Sequence, residues 1–145
     1  MTADQDFKCP CCSGKSYHDC CSIYHQGKEA ESALALMRSR YSAYALNNVE
    51  YIVRTTHPRH PAVSQSLQKW KEEILNFAMN SDFEKLEILD SRELSDRATV
   101  VFVAHLRQDD EDMSFTERSF FSKVGDRWFY VNGDIFVGEN REIKA

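Results

Sequence analysis

All five cysteines of this 145-residue chain, Cys9, Cys11, Cys12, Cys20 and Cys21, fall in one short stretch, and the rest of the sequence has none. From Met1 to about Gly27 the residues are Cys, Ser, Gly, Lys and His with almost no aliphatic side chains, so this stretch cannot fold by burying a core of its own. A secreted disulfide scaffold spreads its cysteines to staple distant loops, whereas here an odd number is confined to one end. The start is polar, with Asp4 and Asp6, and no apolar run is long enough to span a bilayer. The expectation is a cytoplasmic chain with reduced thiols, no signal peptide and no membrane span.

The order Cys-Pro-Cys-Cys-Ser-Gly-Lys-Ser-Tyr-His-Asp-Cys-Cys, residues 9–21, sets two close groups of thiols at the ends of a loop containing Gly14. Zinc takes four soft or borderline ligands at tetrahedral corners, and such a loop supplies them with few residues. Metal binding would then provide the missing folding free energy, on the order of 10 kcal/mol in zinc-finger-like peptides. A closed shell of four ligands leaves no position for water, so the metal is expected to be structural. Spacing alone allows Cys9 with Cys12 as readily as Cys9 with Cys11, and His18 or His25 in place of a thiol.

The remaining chain is long enough for one compact domain. Hydrophobic residues are 42% and charged residues 28%, which excludes intrinsic disorder. The net charge of -5 argues against a protein that grips nucleic acid by neutralising phosphates. Ser32 can cap a helix on which Leu34, Met37, Tyr41 and Tyr44 recur at spacings of three and four, ending near Asn47 and Asn48. A short helix from Val49 to about Thr55 precedes His57-Pro58-Arg59-His60-Pro61, and a third runs from about Ser64 to Asn80. Phe83 to Asp90, Ala98 to Arg107, Phe115 to Val124 and Trp128 to Val131 read as strands, the last two joined by a tight turn at Gly125-Asp126. Helices first and an antiparallel meander second predict an α+β fold, three helices on one face of a curved four-stranded sheet.

Residues 9–21 resemble the SEC-C motif, the zinc-binding element at the C-terminus of the SecA translocation ATPase, and match every specified position of its pattern C-P-C-x-S-G-K-x-[YF]-x-x-C-[CH]. The resemblance implies a structural zinc on Cys9, Cys11, Cys20 and Cys21 and leaves Cys12, where the motif usually has Gly, as a spare thiol. It extends through His25-Gln26-Gly27-Lys28, Ala33 to Tyr44, Thr56-His57-Pro58, Glu117 to Phe121 and Arg127 to Gly133. Together these look like the YchJ-type bacterial family, in which a SEC-C element precedes a domain similar to nuclear transport factor two (NTF2). The resemblance implies a SEC-C element at residues 1–27 and, at residues 28–145, a cone of three helices against a curved sheet. No activity comes with it.

Arg40 falls at the edge of the apolar face of its helix, where a guanidinium calls for a partner such as Glu117 or Asp134. Its expected role is a structural ion pair or an anion-binding group inside the cone. His57 and His60 sit on a stiff proline loop, where their protons are usable near neutral pH. With His105 and several tyrosines they are candidates for acid-base chemistry, and His57, Arg40 and Glu117 are the catalytic candidates. Asp109-Asp110-Glu111-Asp112 lacks the order of a calcium loop and reads as a hairpin turn. Trp70, Trp128, Phe102, Phe121 and Phe129 read as core or cone lining. Two functions follow. One is a binding or adaptor protein, with the SEC-C element docking a protein partner or the ribosome through Lys8, Lys15 and Lys28 and the cone holding a small ligand or a second copy. The other is an isomerase or hydrolase using the cone.

Overall fold

The computed structural model describes residues 7–145; the polar start at residues 1–6 lies outside the described residues. A tight hairpin opens the structure. Lys8 bridges to Ser16, the Cys9 amide donates to the Lys15 carbonyl at 3.0 Å, and the Tyr17 amide to the Phe7 carbonyl at 2.8 Å. A 3-10 turn (Tyr17–Asp19), capped by Ser16, leads into α1 (Cys21–His25).

Three longer helices follow: α2 (Ala33–Ala45), α3 (Val49–Arg54) and α4 (Leu67–Met79). Each begins where a side chain accepts from an otherwise unpaired first-turn amide: Ser32 from Ala35, Asn48 from Tyr51, Ser66 from Lys69. The third expected helix thus starts later than read, because Pro61–Ser64 forms a separate 3-10 turn. The strands are β1 (Asp82–Glu93), β2 (Arg97–Gln108), β3 (Glu111–Asp112), β4 (Phe115–Val124) and β5 (Arg127–Val137). They form one antiparallel sheet ordered β1-β2-β4-β5, with β3 a two-residue partner of β2.

The α+β class and the helices-then-sheet order agree with the sequence reading, while the counts need correction: the described residues hold four α-helices and five strands. The extra helix, α1, is a single turn inside the cysteine element. The extra strand arises because Asp109 and Asp110 both adopt left-handed backbone, with φ of 49° and 65°, and fold the acidic turn back onto β2. Register shifts in β1 and between Phe120 and Phe121 mark bulges, which bend the sheet around the helices. Phe115, Glu117, Ser119 and Phe121, alternate residues of β4, all face the helical side. The other face is covered by the last residues: Thr116 donates to the Gly138 carbonyl and accepts from the Asn140 amide, and the Ala145 amide reaches Asp90.

Candidate functional site

The hairpin and α1 bring four thiols to one point. The sulfurs of Cys9, Cys11, Cys20 and Cys21 all lie within 4.8 Å of one another, three of the residues buried and Cys20 half-buried. Cys11 and Cys20 are 3.6 Å apart and Cys20 and Cys21 4.0 Å. A tetrahedral ion with sulfur ligands at about 2.3 Å separates them by about 3.8 Å, so the spacing fits a metal. All five cysteines are free thiols. Hydrogen bonds from Cys21 and then Cys9 pull the Cys11 thiol far down, and bonds from Cys11 and Cys9 push Cys21 up.

Of the alternatives left open by spacing, His18 is not in the group of converging ligand atoms, and His25 and Cys12 are accounted for by what surrounds the cluster. His25 is committed elsewhere: its Nε2 donates to the Ser39 carbonyl at 2.8 Å, which leaves Nδ1 to accept from the Tyr17 hydroxyl at 2.7 Å. Burial lowers its pKa and keeps the ring neutral. The ring clips the element to α2. Cys12, with φ of 65°, occupies the left-handed conformation that explains the motif's usual glycine. Its sulfur points away from the other four and accepts from the Leu86 amide of β1 at 3.4 Å. Cys9 meets Ser42 at 3.3 Å, and Arg38 donates to the Cys11 carbonyl at 2.8 Å, so α2 is the wall on which the element rests.

Another face of α2 lines a cavity of about 300 Å³ between the helices and the concave side of the sheet. Phe77, Phe83, Phe102, Phe115 and Phe121 supply much of its wall, with Trp70 and Tyr44. The polar side is carried by Arg40, Glu117, Tyr130 and His60. Trp128 is buried away from it, and Phe129 packs against His57.

Arg40 and Glu117 both reach the cavity, but the expected ion pair is absent. Arg40 instead donates from Nη1 to the Ile52 carbonyl and to the hydroxyls of Thr55 and Thr56, at 3.2, 2.7 and 3.2 Å. The C-terminal turn of α3 offers it a partial negative charge. Its guanidinium lies 4.5 Å over the Tyr130 ring, because β5 is stitched to the end of α3: Tyr130 donates its amide to Thr55, and His57 donates to the Tyr130 carbonyl. Asp134, the other expected partner, pairs with Arg118 at 3.0 Å.

Glu117 is buried and accepts on Oε2 from the Ser119 and Tyr130 hydroxyls at 2.6 and 2.9 Å. Burial raises its pKa against the opposing effect of those bonds and of Arg40. Gly133, across from Ser119, makes the room: a Cβ there would collide with the Glu117 carboxyl. Of the two loop histidines it is His60 that lines the cavity. Its Nδ1 accepts from the Ala62 amide at 3.1 Å, and burial lowers its pKa. His57 lies outside, against Phe129 at 5.9 Å. His105 is far from this chemistry in role: it bonds Glu87 at 2.6 Å, and Arg141 holds Glu87 and Glu139 on the sheet's outer side.

Tyr130 is one of the tyrosines the sequence sets beside the histidines, whereas Ser119, Thr55 and Gly133 are given no role there. Ser119 lies two residues from Glu117 on a strand and so shares its face, which was a readable signal. The others act across space.

A family described as the YchJ middle NTF2-like domain matches residues 32–133. This chain belongs to the YchJ family. A UPF0225 protein of Haemophilus influenzae strain PittEE is 38% identical over 128 residues, spanning 86% of this YchJ chain and 76% of that protein. A UPF0225 protein of Bordetella pertussis is 38% identical over 131 residues, spanning 88% and 92%. The solution structure of a SEC-C motif containing protein from Rhodopseudomonas palustris superposes with a TM-score of 0.77 at 39% identity, covering 87% of this chain and 96% of that one. A SEC-C motif containing protein from Psychrobacter arcticus gives 0.70 at 28% identity, covering 94% and 86%. A putative ketosteroid isomerase from Shewanella frigidimarina, at 0.55 and 14% identity over 73% and 96%, shares the fold. No helix among the described residues is long and apolar enough to cross a membrane.

Proposed function

We propose that this YchJ-family chain is a metal-folded protein that binds a small molecule in its cone. The observation that carries the reading is the cavity itself: about 300 Å³, walled by aromatic rings, with a guanidinium and a carboxyl held on one side. Apolar concavities with a few convergent polar groups are the usual form of small-ligand sites. Its test uses an uncharged reporter. Fluorescence of 1-N-phenylnaphthylamine should rise on addition of the protein and should not rise with Ala104→Phe, which fills the cavity. Equal enhancement by both proteins overturns the reading.

In the same proposal a structural zinc on Cys9, Cys11, Cys20 and Cys21 fixes the N-terminal element, as the spacing of the thiols supports, and the reduced thiols call for a cytoplasmic setting. Native mass spectrometry with and without chelator should find one zinc per chain, with Cys12 the one thiol alkylated while the metal is bound. A metal-free chain, or protection of all five thiols, would count against it. The docking role stays attached to this element through Lys8, Lys15 and Lys28, all exposed, and Ile23, which is 43% exposed. Reversing the three lysine charges and repeating a pull-down tests that role, and an unchanged partner list removes it.

A second reading, a small-molecule isomerase or hydrolase, is favoured by one feature: Glu117 combines burial, a raised pKa and contact with Tyr130, the combination that general acid-base catalysis requires. Turnover of any ligand found in the cavity, abolished by Glu117→Gln with binding intact, would establish it.

A further inference from the structure

The cavity contains a charge that its surroundings do not cancel. Arg40 is buried, and its three hydrogen bonds all leave from Nη1 to uncharged oxygens. Thr55 and Thr56 have committed their hydroxyl protons to the carbonyls of Tyr51 and Ile52 at 2.7 Å and offer Arg40 only lone pairs. Among the described residues no carboxylate comes within 4.0 Å of the guanidinium. Burying a cation without an anion is costly, and a cavity is where that cost is met by a ligand.

Glu117, the acid that shares the cavity, stands outside ion-pair distance and spends Oε2 on two hydroxyl donors. Besides Ser119 on its own strand, groups from three elements share its surroundings. Arg40 and Tyr44 approach from α2, His60 from the loop after α3, and Tyr130 and Asp134 from β5. Arg40 lowers its pKa and Asp134 raises it. Burial raises the pKa of both tyrosines, which keeps them neutral, and lowers that of His60, which keeps it neutral too. Glu117 is therefore the carboxyl in the cavity whose protonated form burial favours.

Resting on the cavity reading, we infer that the ligand is a small, planar, ring-bearing organic acid, bound as its carboxylate on the unspent nitrogens of Arg40 with Glu117 in its protonated form beside it. The ring would lie among Phe77, Phe83 and Phe102, whose own packing is edge-on, Phe77 to Phe83 at 78°. The charges balance: the ligand's anion answers Arg40, and a neutral Glu117 donates a hydrogen bond to the carboxylate. Where Glu117 is ionised before binding, one proton is taken from the solvent onto its carboxyl as the acid binds.

Calorimetric titration at pH 7 with 2-naphthoate and with 2-naphthamide separates charge from shape, since the amide keeps the ring and the planar head. Naphthoate should bind at least tenfold more tightly, and where Glu117 is ionised before binding the apparent enthalpy varies with the ionisation enthalpy of the buffer. Glu117→Gln fixes the neutral form, so naphthoate affinity should stay within about threefold of the original and no buffer dependence should remain. Arg40→Gln should bring the two ligands to equal affinity. Because Arg40 also holds the end of α3, its melting curve is recorded alongside, and Glu117→Gln carries the test if Arg40→Gln fails to fold. Equal or tighter amide binding, or loss of naphthoate binding in Glu117→Gln, overturns the acid ligand and leaves the cavity reading standing. Neither compound binding while 1-N-phenylnaphthylamine still does has the same meaning. If the neutral probe also fails, the cavity reading falls with it.

Discussion

The thiol cluster and the cavity share one helix, α2, and differ in how their polar groups are answered. On one face, Ser42 and Arg38 meet Cys9 and the Cys11 backbone, and four sulfurs gather within 4.8 Å of one another. On another, Arg40 faces a volume of about 300 Å³ with Glu117 across it, and the two do not pair. A cluster whose four sulfurs could close on a single ion would be complete in itself and would serve the fold. A cluster that keeps its charges apart around a cavity leaves its polar groups open to a further partner, and it is there that the proposed ligand would bind.

The sharpest way to break this contrast is to damage the closed side. Cys21→Ser removes one sulfur from the cluster in a residue that is 1% exposed. It should abolish stoichiometric metal binding and lower stability by on the order of 4 kcal/mol, in the range of lost metal sites. Thermal melts with and without chelator check this, and a variant that melts within about 2 °C of the parent would show that the thiols are not what folds the element. Next in size is the open side. Gly133→Ala forces the Glu117 carboxyl out of its place, with an expected loss of about 1–3 kcal/mol from overpacking and broken hydrogen bonds. Denaturant titration measures it, and an unchanged midpoint would mean that Glu117 is free to move.

A smaller, pH-dependent effect tests the charge state directly. Glu117 holds its proton more tightly in the folded chain than in the unfolded one. Its contribution is therefore fully present below the ordinary carboxylate range and is lost as pH rises through the raised folded value. Glu117→Gln should flatten stability over that window. The smallest effect is expected outside both clusters. Arg141, then His105, holds the Glu87 pKa down to about 2, so this carboxylate's contribution is present above about 4.5 and fades as pH falls through about 2. Arg141→Gln should shrink that acid-side loss and leave melting at neutral pH almost unchanged, since exposed ion pairs contribute little.

Much of this molecule could be read from local signals. Ser32 and the apolar spacing from Leu34 to Tyr44 mark α2 because caps and periodicity are properties of neighbours in sequence. The thiol cluster is equally local, all of its ligands lying within 13 residues. What was not legible depends on pairs far apart. Asn132-Gly133-Asp134 reads as the end of a strand, yet β5 runs on to Val137, because the missing side chain at Gly133 is the space Glu117 occupies. A charged partner was expected for Arg40, whereas two threonine hydroxyls 15 and 16 residues away take the role. His57 is the loop histidine the sequence favours, yet its ring packs against Phe129 and it is His60 that lines the cavity. Residue types announce that chemistry is present, and only the fold says which groups face each other.

The contact between Cys12 and the Leu86 amide also carries a clock. These two residues are 74 apart in sequence, and a ribosome adding about 5–20 residues per second separates their synthesis by roughly 4–15 s. Throughout that interval the hairpin bonds near Cys9 and Tyr17 can already form, but β1 does not yet exist as a seat for the element. If the proposed metal is taken up during synthesis, the cysteines can thus close on it before the domain they rest on has been made.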